Sequence, residues 1–182
     1  MQLVKASRVV EDRFVRVTDD DPLPDGPLLL PAERFFADSA GFDARTGPVG
    51  VLWPNNRTVS ELAPHLHQLA LIALNFPSFR DGRAYSQARQ LREHYGFRGE
   101  LRATGDILRD QYLFLIRAGF DCFEVKKDAD VKSFVDSALR YSIFYQPAGD
   151  GRISALRRRV VERRNPDQSK SEFPIATKAL EF

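Results

Sequence analysis

A chain of 182 residues that is 43% hydrophobic and 29% charged can bury one core without metal or disulfide support. With 14 Phe and 5 Tyr it is too aromatic to be disordered throughout. Its net charge of +2 is too small to mark it as a general nucleic-acid binder, although the charge is uneven.

Other exclusions follow from the sequence. The longest apolar run, Leu69 to Leu74, is far short of the roughly 20 residues of a membrane helix. Met1 to Val10 has no apolar signal-peptide stretch. Cys122 stands alone and has no internal disulfide partner. These features fit a soluble, cytoplasmic protein.

In chain order, Leu3–Val17 alternates loosely and is rich in Val, which predicts two short strands or a hairpin with Glu11-Asp12 near the turn. Thr18–Pro27 is acidic and broken by Pro22, Pro24 and Gly26, so it reads as a loop. Leu28 to Leu30 predicts a short strand and Ala32–Asp38 a short helix.

From residue 48 the pattern becomes regular. Val49–Trp53, between two prolines, predicts a buried strand. Thr58 with Glu61 forms a capping box for a helix reaching about Gln68, and Pro64 inside it predicts a short or late-starting helix. Leu69–Phe76 is the next strand. Asp81 caps a helix from about Gly82 to Tyr95, whose apolar stripe is Ala84, Ala88, Leu91 and Tyr95, and Gly96 stops it. Glu100–Thr104, a helix from about Ile107 to Arg117, and strand Asp121–Val125 follow. Asp130 caps a further helix carrying Val131, Phe134, Val135, Ala138 and Leu139. Ser142–Gln146 is a last candidate strand.

Strands alternating with helices predict an α/β fold: a parallel sheet of about five βα units, either partial (β/α)-barrel-like or open doubly wound, with an N-terminal β hairpin. The domain covers residues 1–147, with its regular core at 45–147. Residues 148–182 add a basic helix-like stretch, Ile153–Arg164, and a tail of mixed polarity expected to be mobile. Residues 152–170 hold six Arg and one Lys against Glu162 and Asp167, a composition that favours an acidic partner. The stretch lacks the interleaved aromatics of a single-strand binder and has no helix-turn-helix, so nucleic acid is not expected.

Loops after strand carboxyl ends line ligand sites in parallel α/β folds. That rule selects the cluster from Phe76 to Arg83 and the segment around Thr104, Gly105 and Asp106. Arg83, Arg102 and Arg109, with the turns at Gly82 and Gly105, are candidates for an anion site, since guanidinium forks and helix-start N–H groups match phosphate, sulfate or sulfite oxygens. Arg83, Arg102 and Asp106 are expected to face one pocket if their strands are neighbours. Asp81 and Asp106 are candidate general bases, although both also read as helix caps.

Metal and redox signals are weaker. Asn75, Asp81, Asp106 and Glu124 form an oxygen-rich set without defined spacing. His65 and His67, two apart, point to different faces. No metal site is expected. No cysteine set for a cluster and no G-x-G-x-x-G after a strand is present, so no flavin, heme or iron–sulfur cofactor is expected. Cys122 lies in an apolar strand and reads as structural.

The runs Asn75–Arg92, Gly99–Gln111 and Arg117–Glu124 resemble a bacterial domain-of-unknown-function family, number 934, over about residues 45–147. Members carry an oxidoreductase label and are associated with assimilatory sulfite reduction. The resemblance implies an accessory role in sulfur assimilation, with sulfite reductase or a small anion as partner. The alternative is a small barrel-like enzyme acting on an anionic metabolite, with an Asp general base. After the second Phe of Phe76-Pro-Ser-Phe79, where the family has Thr, this chain has Arg80, which leaves Arg83 and Arg102 as the safer anion ligands.

Overall fold

The computed structural model describes residues 2–5, 8–126, 131–132, 144–148 and 153–164. Strands β1 (Gln2–Lys5) and β2 (Arg8–Val10) form an antiparallel hairpin. β3 (Val15–Arg16), β4 (Leu28–Pro31), β5 (Val49–Trp53), β6 (Leu69–Phe76), β7 (Glu100–Gly105) and β8 (Cys122–Val125) follow. All eight join one sheet in the order β2-β1-β8-β7-β6-β5-β4-β3. From β3 to β8 every neighbouring pair is parallel, while β1 pairs antiparallel with β8.

The sheet therefore has eight strands where the pattern predicts about five units. β5 to β8 are four of those units, β1, β2 and β4 are the predicted hairpin and the short strand predicted at Leu28 to Leu30, and β3, with two residues, is too short to show a period. The sequential order of β3 to β8 is the barrel-like alternative, not the doubly wound one, whose strand order reverses. The N-terminal hairpin is present, and its last pair is Lys5 with Arg8, ahead of the predicted Glu11-Asp12 position. The predicted helix after Asp130 and the tail from 165 lie outside the described residues, apart from Val131 and Lys132. At the predicted last strand, the described Phe144 makes an isolated parallel bridge to Ser154.

Chain length forces the sheet to curl. β2 and β3 are its opposite edges, yet Val10 and Val15 are joined by five residue steps, which reach at most about 18 Å. In a flat sheet, seven gaps of ~4.8 Å would hold the edges about 34 Å apart. The result is a half-barrel with residues 11–14 strapped across its concave side.

Helices cover the convex face. They are α1 (Ala32–Phe42), a 3₁₀ stretch (Val59–Gln68), α2 (Arg83–Arg89) and α3 (Tyr112–Ala118). Alternate strand residues such as Val51, Trp53, Ile72, Leu74, Leu101 and Phe123 meet Phe35, Leu62, Ala88, Leu91 and Leu115 in this layer. Burying each such side chain contributes about 1.5–3 kcal/mol. The other alternation, Leu29, Leu71 and Ala73 with Phe14 and Leu52, lies on the concave face.

Thr58 caps the 3₁₀ stretch, accepting from the Ser60 N–H. Pro64 sits inside it, where an α-helical bond pattern would lack one donor. α2 runs directly into a π turn at Gln90–His94, so the predicted 82–95 helix is present in two geometries. Helix α4 (Ala155–Arg164) follows the Ser154 bridge.

Candidate functional site

Two polar assemblies meet at the half-barrel's interior and its strand carboxyl ends. The first centres on a buried arginine. Arg102 projects from the middle of β7 onto the concave face with 2% of its side chain exposed. Its Nη1 and Nη2 donate to both oxygens of Asp12 at 2.8 and 3.1 Å. Nε and Nη2 donate to Glu100 Oε1 at 3.1 and 3.0 Å, and Glu124 lies 3.7 Å away. Lys5 donates to the other Glu100 oxygen at 2.8 Å. Arg16 and Thr104 both donate to Glu124.

Three cations thus face three carboxylates. Burial lowers the Arg102 pKa, but the Asp12 hydrogen bonds and the nearby carboxylates outweigh it and the net shift is upward. Burial likewise raises Glu100, and Lys5 and Arg102 bring it below its ordinary value. Cys122 shares this face, and burial pushes its thiol far up, so it is inert.

The second assembly joins the loops after β6 and β7. Gly105, at φ +95°, lets the chain turn against Phe76, where a Cβ would stand 2.3 Å from the Phe76 carbonyl oxygen. The Asp106 N–H donates to that oxygen at 2.7 Å. The Asp106 carboxylate accepts from the Phe79 N–H at 3.2 Å and from Lys126 at 3.5 Å. The Gln111 carboxamide then binds both loops: Nε2 donates to the Phe79 carbonyl at 2.8 Å, and Oε1 accepts from the Leu108 N–H at 3.0 Å. The carboxamide thus links the Phe79 and Leu108 backbones, and the two residues are 40% and 41% exposed. The Arg80 guanidinium stacks over the Phe79 ring at 5.3 Å.

The predicted site residues distribute over these assemblies. Arg102 is locked in the interior, while Asp106 organises the loops. Arg83 opens α2 after Gly82, is exposed, and turns back onto Asp81 through bonds of 2.6 to 3.2 Å. That guanidinium holds the Asp81 carboxyl well below the usual range. Arg109 is exposed, 3.6 Å from Asp110. Arg83, Arg102 and Arg109 therefore engage three different sets of carboxylates rather than one another's. Among the described residues no group of three His, Cys, Asp or Glu side chains is placed to hold a metal ion.

Residues 50–156 match the family described as "Bacterial protein of unknown function (DUF934)". The chain belongs to the DUF934 family. No curated protein and no solved structure matches it. The DUF934 match begins inside β5, so the strap that supplies Asp12 and the strands β1 and β3 that supply Lys5 and Arg16 lie before it. Several motif residues of the resemblance act as a staple at the opposite, strand amino-terminal end. Arg92 donates to the carbonyls of Phe97, Gly99 and Gly119 and to Asp121, and Asp121 accepts from the Leu101 N–H.

Sequence reading missed Asp12 and Arg16, which lie 90 and 108 residues from their partners. It also missed Gln111, whose role requires knowing that two loops are adjacent. A Gln three residues after Leu108, at the start of a helix, is the one local signal.

Among the described residues no helix is long and apolar enough to cross a membrane.

Proposed function

We propose that the chain is a non-catalytic accessory protein of assimilatory sulfite reduction that docks on the reductase through its strand carboxyl-end loops. The observation that carries this reading is the Gln111 carboxamide, which ties two loops together and holds Phe79 and Leu108 exposed at one site. A pre-ordered apolar pair costs little entropy on binding. Charge lies beside it, with Arg80 stacked on the Phe79 ring and Arg109 and Asp110 next to Leu108 in the chain, as in a protein-docking patch with a polar rim.

The anion and enzyme readings draw less support. An anion at Arg83 or Arg102 would have to displace a carboxylate already bound there. Asp81, held low by Arg83, is a poor base near neutral pH.

The test is direct binding of the full chain to purified assimilatory sulfite reductase. Wild type is expected to bind, and Phe79→Ala and Leu108→Ala to weaken binding by about tenfold or more. Absence of binding by the wild type, or unchanged binding by both variants, removes the reading.

A further inference from the structure

Helix α4 lies outside both assemblies, and all but its first two residues lie beyond the family match. Its ten residues contain five Arg and one Glu. Four residues apart on it, Leu156 and Val160 are 68% and 46% exposed, and Ile153, just ahead of the helix, is 36% exposed. At helical spacing Leu156 and Val160 fall along one stripe. Arg159 and Arg163 follow on one side of that stripe and Arg157 on the other, all three exposed. None of these three arginines has a carboxylate partner among the described residues, unlike Arg83, Arg102 and Arg109. An apolar stripe bracketed by unpaired guanidiniums is complementary to an apolar groove with a carboxylate rim. A DNA backbone would use the arginines but leave the stripe in water. A membrane-surface helix would be expected to carry aromatic anchors on that stripe, and α4 has none.

We infer that α4 is a second docking element, which seats its Leu156–Val160 stripe in an acid-rimmed apolar groove of a protein partner. The inference rests on the accessory reading for the identity of that partner. It adds a separate surface, with its own electrostatic signature, to the Phe79–Leu108 patch.

The experiment measures affinity of the full chain for purified sulfite reductase at low and high salt, in three forms. These are wild type, the charge-reversed Arg157→Glu/Arg159→Glu/Arg163→Glu, and Leu156→Ser/Val160→Ser. All five positions are exposed, and urea unfolding checks that both variants fold. The charge-reversed form is expected to bind about tenfold or more weaker at low salt and to lose the salt dependence of the wild type. The serine form is expected to weaken at both salt concentrations.

A short labelled DNA duplex and phosphatidylserine vesicles serve as the other probes. Reductase binding indifferent to both α4 variants overturns the inference and leaves the loop patch standing. So does arginine-dependent binding to the duplex or the vesicles with reductase affinity unchanged. Failure of the wild type to bind the reductase removes the accessory reading and α4's role together.

Discussion

Arg102 and Arg83 are both arginines beside a carboxylate, and burial separates their consequences. Removing Arg102 strands Asp12, Glu100 and Glu124 without their shared counter-ion inside the sheet's curve. Arg102→Ala is expected to cost about 3–5 kcal/mol in urea unfolding. The Arg83 pair is solvent-exposed, so Arg83→Ala should cost less than about 1 kcal/mol. Asp121 gives a pH signature of opposite sign to most acids. Burial pushes its carboxyl up to about 6 against the pull of Arg92. The folded state therefore binds a proton more tightly than the unfolded chain does. Stability from this group is present below about pH 4 and lost as pH rises through about 6, by no more than about 3 kcal/mol. Comparing wild type with Asp121→Asn between pH 4 and 7 isolates that loss, because the other acids are common to both. Cys122, buried with its pKa pushed far up, should resist iodoacetamide in the native state and react only on unfolding.

Among the elements, two tight turns carry the loop geometry. Gly105 and Gly119 both have positive φ, and at each an added Cβ would meet a neighbour at under 3 Å, the Phe76 carbonyl or the Arg92 side chain. Gly105→Ala is expected to cost about 1–3 kcal/mol and, under the proposed docking, to weaken reductase binding beyond its effect on folding, since it displaces the loop that carries Leu108. Gly119→Ala should cost a similar amount without touching the loops that carry Phe79 and Leu108. Strands β5 to β8 were legible because each is a continuous apolar run between helical patterns, and their parallel pairing followed from the crossovers. β3 was not, since two residues cannot show alternation. The π turn was hidden because Leu91 and Tyr95 keep a helical spacing through it. The loops after β6 and β7 were legible as strand-end segments, and Gly105 and Asp106 lie at the end of β7. The pairing of Arg102 with Asp12 was not legible, because Asp12 comes from the other end of the domain and strand alternation alone leaves the choice of face open.

Over the whole molecule, the family match and the folding unit have different limits. The match starts at residue 50, yet β1 pairs along β8 and the first 16 residues supply Lys5, Asp12 and Arg16 to the interior. A fragment beginning at residue 45 is expected to lack a cooperative thermal transition, measured by circular dichroism, because Arg102 and Glu124 would face water with β8 as a raw edge. The strap of residues 11–14 has a further consequence. It works as a bowstring: its length sets how strongly the sheet is bent. Near β3 the bend leaves a cleft of about 390 Å³ floored by Leu29, Pro31 and Leu52 with Arg16 at its edge. Two glycines inserted after Arg13 would slacken the string by up to about 7 Å. The sheet could then relax toward flatness, and that cleft would widen while the convex helical layer stayed packed.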